Sequence, residues 1–235
     1  MLRRIFCCLS LFAICPVSPS LVTAQDAATS SLNALSAEDL SQGWKLLFDG
    51  KTTDGWHNYK KDSVSDGWKV IDGALVMSRK GSGDILTNDE YGSFELSLDY
   101  KIFPAGNSGL IYHVKNTGDT PWMTGPEVQI QDNVDGHDPQ KAGWLYQLYP
   151  ADVDATKPAG EWNNLRIVIT PEKCEHYMNG VKYCEYVKGS ADWKAKVAAS
   201  KFSNFAGFGE PTEGFVCLQD HNDEVAYRNI RIRPL

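Results

Sequence analysis

The chain has 235 residues, with 23 basic and 30 acidic side chains for a formal net charge of −7, and 42% of its residues are hydrophobic. That balance excludes recruitment by nucleic acid or anionic lipid through bulk charge. A chain of this length suits one all-β domain with a sizeable core.

The first residues, "MLRRIFCCLSLFAICPVSPSLVTAQ", combine Arg3 and Arg4 with an apolar run from Ile5 to Cys15 and a small-residue exit at Val22-Thr23-Ala24. This pattern predicts a secretory signal peptide over residues 1–24, because the run is too short to span a bilayer. Ile14 precedes Cys15 where a lipidated cysteine would need a small residue, which argues against a lipoprotein. No later stretch is long and apolar enough for a membrane span. The expected location is therefore secreted or periplasmic.

Residues 25–40 read as a flexible N-terminal lead, small and polar at first; within it Ser36 and Asp39 form a capping-box pattern that starts a short helix. The domain proper is placed at residues 41–235. "WKLLFDG" is followed by "WKVIDGALVMS", where Asp72-Gly73 predicts a hairpin turn. In "FELSLDYKIF", Phe94, Leu96, Leu98, Tyr100 and Ile102 share one face, and Glu95, Ser97, Asp99 and Lys101 the other, predicting one buried and one wet face. "SGLIYHV", "EVQIQD" and "NLRIVIT" read as further strands.

In "KCEHYMNGVKYCEY", Asn179-Gly180 marks another hairpin. A three-residue loop would set Cys174 opposite Cys184 on a non-hydrogen-bonded rung, within disulfide reach. A two-residue loop would put the thiols on opposite faces, so the Cys174–Cys184 bridge expected of an oxidising compartment depends on register. "SADWKAKVAASKF" reads as a short helix, and "GFVCLQD" and "VAYRNIRIR" complete the strands. Strands and helices do not alternate regularly, which excludes a parallel α/β sheet. The predicted fold is a jelly-roll sandwich of two antiparallel sheets whose concave face holds a ligand groove.

Three groups of residues carry chemistry on that scheme. In "GPEVQIQDN", Glu127, Gln129 and Gln131 share a strand face while Val128 and Ile130 point to the core; a carboxylate and two amides in a row can bind a polyol, and the carboxylate can move a proton. The alternative is a solvated outer face. In "GNSGLIYHV", Asn107 and Ser108 lie between glycines, where backbone can approach a ligand, and His113 follows at strand spacing, as a ligand contact or a structural histidine. "CLQDHNDEVAYRNIRI" crowds Asp220, His221, Asp223 and Glu224 together at a strand end, where a carboxylate can fix an imidazole as a general acid or base; a plain Asn/Asp-rich turn would look the same. Trp68, Trp122, Trp144, Tyr146 and Tyr149 can stack on a sugar or pack in the core. Lys201 offers positive charge at a groove edge. There is no HExxH, CxxC, phosphate-binding glycine loop or nucleophile elbow, and "DNVDGHDPQ" lacks calcium-loop spacing. These motifs name no cofactor, and a divalent metal shared by Glu127 and His221 is left open.

Taken in order, "GWKLLFDGKTTDGW", "WKVIDGAL", "LTNDEYGSFELSLDYKI", "GNSGLIYHV", "GPEVQIQD", "LYQLYPA", "KPAGEWNNLRIVI", "EHYMNGVK" and "CLQDHNDEVAYRNIRIRPL" closely resemble the 3-keto-disaccharide hydrolase family, from about Gly43 to Leu235. The resemblance implies a concanavalin-like jelly roll and a secreted or periplasmic enzyme that cleaves glycosides bearing a ketone at C3, an oxidoreductase having installed that ketone. By position, Glu127 and Gln129 match the family's strand motif, Asn107 its "GNSG", Tyr146 its "LY" block, and Asp220 with His221 its "LQDH"; the roles expected on that scheme are Glu127 or His221 as proton carriers, Asn107, Gln129 and His113 orienting the sugar, and Lys201 stabilising an enolate. Asn222 stands where glycine is usual, as a left-handed turn residue, and Trp144 where a small residue is expected, which would reshape the groove. Competing readings are a non-catalytic carbohydrate-binding module, since fold does not fix function, and a conventional glycosidase acting on unoxidised sugar.

Overall fold

The computed structural model describes residues 32–235, and the signal peptide expected over residues 1–24 lies outside them, as do residues 25–31 of the lead. The described part of the lead is anchored to the body. Asn33 is buried, exchanges hydrogen bonds with Asn229 and donates to the carbonyl of Gly73 at 2.8 Å. The expected capping box is present, with Ser36 and Asp39 bonded reciprocally at the start of α1 (Ala37–Ser41). Within the lead placed at residues 25–40, Asn33 is thus fastened to the body and residues 37–40 are helical.

The strands are β1 (Lys45–Leu46), β2 (Trp56–Asn58), β3 (Trp68–Ile71), β4 (Ala74–Met77), β5 (Ile85–Tyr91), β6 (Phe94–Ile102), β7 (Asn107–Val114), β8 (Glu127–Gln131), β9 (Asn163–Ile169), β10 (Cys174–Met178), β11 (Val181–Tyr186), β12 (Gly214–Leu218) and β13 (Val225–Pro234), with α2 (Ala191–Ala199) before β12. They form two antiparallel sheets. One runs β11-β10-β9-β6-β13-β4-β3, with β1 also on β13; the other is the five-stranded β2-β5-β12-β7-β8. This is the jelly-roll sandwich expected from the strand pattern.

The core forms where the two sheets face each other. Phe94, Leu96, Leu98, Tyr100 and Ile102 of β6 are buried there with Leu110 and Tyr112 of β7, Val128 and Ile130 of β8, and Val216 and Leu218 of β12. Each large apolar side chain contributes about 1.5–3 kcal/mol by leaving water. The opposite face of β6 is less wet than its sequence predicts. Glu95 and Ser97 are buried: Arg166 and Arg233 close over the Glu95 carboxylate, Arg166 at 2.7 Å, and Asn164 donates to the Ser97 hydroxyl at 3.2 Å.

The two predicted hairpin turns have consecutive left-handed residues, Asp72 and Gly73 at φ 50° and 75°, and Asn179 and Gly180 at 50° and 82°. Both are two-residue loops, which this conformation favours. In the second, Met178 pairs with Val181, and a bulge between His176 and Tyr177 shifts the register. Cys174 therefore faces Tyr186 and Cys184 faces His176. The cysteines are diagonal neighbours on one face, beyond the reach of a disulfide, and all three described cysteines are free and buried. The expected Cys174–Cys184 bridge is not formed. Burial pushes the Cys184 thiol up to about 12, which keeps it an inert thiol. Mass spectrometry of unreduced protein after denaturation in alkylating agent should find Cys174, Cys184 and Cys217 all alkylated.

Candidate active site

The site lies on the outer face of the five-stranded sheet, near the end of β8. The period of two puts Glu127, Gln129 and Gln131 on that face while Val128 and Ile130 enter the core. The outer edge of β8 is closed by the segment Gly143–Tyr146. Gly143 donates to the Gln129 carbonyl at 2.8 Å, Gln129 to the Trp144 carbonyl at 3.0 Å, and Tyr146 to the Glu127 carbonyl at 2.9 Å. Trp144 itself packs against the main core. Tyr146 donates its hydroxyl to Asp138 at 2.7 Å.

Glu127 leans over its neighbour strand at Gly109. A Cβ at residue 109 would sit 2.6 Å from Glu127 Oε1 and 3.1 Å from Gln219 Oε1. The glycine thus makes room for the carboxyl. Gly109→Ala should displace Glu127 and cut turnover by about tenfold or more, since small misplacements of a reacting group are costly. A kcat unchanged by that substitution would remove Glu127 from the chemistry.

Glu127 is buried, with only 6% of its surface exposed. Burial pushes its carboxyl up to about 8; the Lys201 ammonium pulls the other way, the charges of Asp84 and Asp138 push it further up, and the Gln219 amide lowers it. Asp84, just before β5, is pushed up to about 6, chiefly by burial, while the Asp220 N–H that it accepts at 2.8 Å holds it down and the Asp220 charge raises it. Two carboxyls on one sheet face are thereby poised on either side of neutrality, the arrangement that divides general acid from general base.

Gln219 and Gly109 lie between these carboxyls, since β12 and β7 separate β5 from β8. Gln131 donates its amide to the carbonyls of Asp138 at 3.1 Å and Gln140 at 2.6 Å, and Gln129 to that of Gln140 at 3.4 Å. Both glutamine oxygens are consequently turned away from those carbonyls. Asn107 Oδ1, Gln129 Oε1, Gln131 Oε1 and Gln219 Oε1 are all buried without a protein partner. Buried acceptors of this kind are costly unless something supplies a hydrogen. Gly136 covers Gln131, a Cβ there falling 2.9 Å from its Oε1.

Lys201, in the short 3-10 turn after α2, places its ammonium 4.5 Å from the ring centre of Tyr146 and 5.0 Å from that of Trp122. Beyond it the sheet face is filled. Leu86, Ile111, Val114 and Cys217 are buried beneath Trp122 and Tyr59, and Tyr59 donates to the carbonyl of Thr117 at 2.9 Å. Trp68 and Tyr149 are packing residues, stacked on Tyr227 and on Tyr186 respectively.

Of the residues expected from the sequence, the structure brings Glu127, Gln129, Asn107, Lys201 and Tyr146 to this face, with Asp220 beside Asp84. It separates His113 and leaves His221 outside. His113 has φ 54°, and the accompanying bulge, two residues of β7 against one of β12 between Phe215 and Cys217, breaks the alternation counted from Asn107. Its ring sits against Phe94 and Tyr112 with Nε2 on the Gly92 carbonyl at 2.8 Å, on the core side. The structure thus places His113 away from the face that carries Glu127 and Gln129.

His221 is exposed in the bend between β12 and β13. Neither neighbouring acid holds its ring: Asp220 accepts from the N–H groups of Gly83 at 2.7 Å and Asn222 at 2.8 Å, and Asp223 from that of Asn107 at 3.0 Å. These carboxylates fasten the loop to β5 and β7. Asn222 has φ 68°, the left-handed position its side chain tolerates. Among the described residues no three His, Cys, Asp or Glu side chains converge as metal ligands. Sequence reasoning missed Asp84, Asp138 and the role of Gln219. "GDILT" has no motif to mark it, and Asp84 acquires its partner across 136 residues.

Comparison with known proteins agrees with this architecture. Residues 43–233 match the family model of the 3-keto-alpha-glucoside-1,2-lyase-like domain. A 3-keto-disaccharide hydrolase of Bacteroides thetaiotaomicron is 32% identical over 232 residues, covering 83% of this chain and 79% of that protein. A crystal structure from Parabacteroides distasonis, of a protein described as a candidate glycosyl hydrolase, superposes with a TM-score of 0.82 at 34% identity, over 87% of this chain and 99% of that one. A second from the same organism, described in the same way, gives 0.58 at 28% identity, over 82% and 99%. The chain belongs to the 3-keto-disaccharide hydrolase family and is an enzyme of glycoside hydrolase or lyase type.

Proposed function

We propose that this enzyme cleaves glycosides carrying a ketone at C3 of the sugar, such as 3-keto-disaccharides, by elimination across C1 and C2 followed by hydration. The observation that carries the proposal is the pair of carboxyls on one sheet face, Glu127 near 8 and Asp84 near 6. Near neutral pH this pair holds one proton, on Glu127.

A C3 ketone acidifies the hydrogen on C2. Asp84 takes that proton, and the C–H electrons form the C2=C3 enolate, whose oxygen is stabilised by the Lys201 ammonium. The enolate then collapses: C3=O re-forms, C1=C2 forms, and the C1–O bond breaks. Glu127 gives its proton to the departing oxygen. Water then adds its oxygen to C1 and a proton to C2, with the same two carboxyls working in reverse, and the net reaction is hydrolysis. The amides of Asn107, Gln129 and Gln219 orient the sugar on this face, and a hydroxyl that displaced the cover of their buried oxygens would supply the donor those oxygens lack. His221 is assigned no proton transfer, since no side chain positions it.

The proposal requires a sugar 3-oxidoreductase upstream to supply the ketone, and the signal peptide expected over residues 1–24 would place the enzyme outside the cytoplasm. The test is product analysis with a 3-keto-disaccharide and with its unoxidised parent. Release of the leaving sugar from the keto compound alone is expected. Equal cleavage of the parent would instead favour a conventional glycosidase, and binding without products a carbohydrate-binding module.

A further inference from the structure

Gln147 stands between the segment that closes the edge of β8 and the short turn that carries Lys201. Leu148 donates to the Leu145 carbonyl at 2.9 Å, closing a four-residue turn whose third residue, Gln147, has φ 59°. A left-handed third position favours glycine or asparagine, because in that conformation a Cβ crowds the carbonyl oxygen. Gln147 is exposed, so its side chain gains nothing by burial there. What it makes are two hydrogen bonds. Its N–H donates to Gln140 Oε1 at 3.1 Å, and its side-chain Oε1 accepts the N–H of Lys201 at 3.2 Å.

Both bonds lead into the cleavage site. The Gln140 carbonyl accepts the amides of Gln131 and Gln129, and the Gln140 N–H donates at 2.8 Å to Asp138, which also accepts the Tyr146 hydroxyl. Lys201 opens the 3-10 turn Lys201–Asn204, and the first N–H groups of such a turn have no partner within it. Ser200 Oγ takes that of Phe202 at 3.1 Å, and Gln147 takes that of Lys201. Among the described residues no carboxylate lies within ion-pair distance of the Lys201 ammonium. Its neighbours are the rings of Tyr146, Trp122 and Phe202, with centres at 4.5, 5.0 and 5.3 Å. Rings attract a cation but accept no ion pair from it. The place of the ammonium is therefore set at the backbone, where Gln147 fastens Lys201 to the turn that also presents Tyr146.

We infer that Gln147 is a positioning residue for the cleavage reaction: it occupies a glycine-type turn position because its side chain clamps the Lys201 backbone and so holds the ammonium over Tyr146, on the face that carries Glu127. Gln147 moves no proton and acts through Lys201 alone, so its role rests on the enolate stabilisation assigned to Lys201 above.

The test is a double-mutant cycle on the full protein. Gln147→Gly removes the clamp and relieves the turn, so kcat on a 3-keto-glycoside should fall about tenfold with KM unchanged, while Tm stays at or above the parent's. A glutamine that merely stabilised the fold would give the reverse, an unchanged kcat and a lowered Tm. Gln147→Glu keeps an acceptor of the same reach and should restore kcat to near the parent's. Lys201→Met should cost about 10²-fold or more, and adding Gln147→Gly to it should cost nothing further, because the clamp then has no ammonium to hold. The clamp is also read without substrate. Glu127 feels the Lys201 ammonium against the charges of Asp84 and Asp138 and beside the Gln219 amide, so Gln147→Gly should raise the Glu127 titration midpoint, followed by carbon NMR of its carboxyl, in the direction that Lys201→Met raises it. Parent-like kcat and Glu127 midpoint in Gln147→Gly, with Lys201→Met inactive, would overturn the inference alone, as would additive losses in the double variant. Full kcat in Lys201→Met would overturn the reading of Lys201 and the inference with it. Should no 3-keto-glycoside be turned over, the cleavage reading fails, and the Glu127 midpoint decides whether Gln147 holds Lys201 in place.

Discussion

Glu127→Gln should lower kcat on a 3-keto-glycoside by about 10²–10⁴-fold, the range for removal of a positioned proton-transfer group. Glutamine keeps the shape and hydrogen-bonding capacity of the neutral acid but has no proton to give the leaving oxygen. In the parent enzyme kcat/KM should fall on the alkaline side as Glu127 loses its proton near pH 8, and the residual activity of the variant should lack that limb. The same group makes a stability prediction of opposite sense. Its folded-state pKa is raised, so its contribution is fully present below the ordinary carboxylate value of 4.5 and is lost as pH rises through about 8. Glu127→Gln removes that dependence. Its Tm should match the parent's in acid and exceed it at pH 9, measured by thermal denaturation. A variant that stays fully active while its Tm loses the pH dependence would show that the buried carboxyl is a structural acid.

Asp84→Asn should be as damaging, through the opposite limb. The base must be ionised, so kcat/KM of the parent should rise through about pH 6 and the full profile should be bell-shaped between about 6 and about 8. The asparagine oxygen can still accept the Asp220 N–H, so the loop carrying Asp220 should remain in place; because the Asp84 carboxyl is also raised, Tm should match the parent's in acid and exceed it modestly above about pH 6. Removing the Asp84 charge also relieves part of what raises Glu127, so the surviving alkaline limb should move to lower pH. The two substitutions should be strongly non-additive, because each disables one half of a single proton relay. His221→Ala should cost far less than either.

The sandwich was legible because its signals are local. The alternation of Phe94 through Ile102 and the turns at Asp72-Gly73 and Asn179-Gly180 need only a few neighbouring residues to be read. Glu127 and Gln129 were legible for the same reason, since the period of two decides their face. What failed was counting through an irregularity. His113 was assigned to the sheet face by strand spacing, and a single left-handed residue turned it to the other side. The cysteine pair failed likewise, on a turn one residue shorter than needed and a bulge at His176. Asp84 was invisible for another reason. Nothing within "GDILT" distinguishes it, and its burial, its partner and its influence on Glu127 arise only when β5 pairs with β12. His221 shows the converse: a crowded stretch of acids drew attention, yet those acids are spent on backbone N–H groups.

The assignment of Asp84 as base and Glu127 as acid is tested most directly by following deuterium exchange at C2 of a 3-keto-glycoside in D₂O by NMR, alongside release of the leaving group. Glu127→Gln should still exchange the C2 hydrogen while releasing little leaving group, and Asp84→Asn should do neither. Exchange that persists in Asp84→Asn, or that vanishes in His221→Ala with both carboxyls intact, would contradict the account.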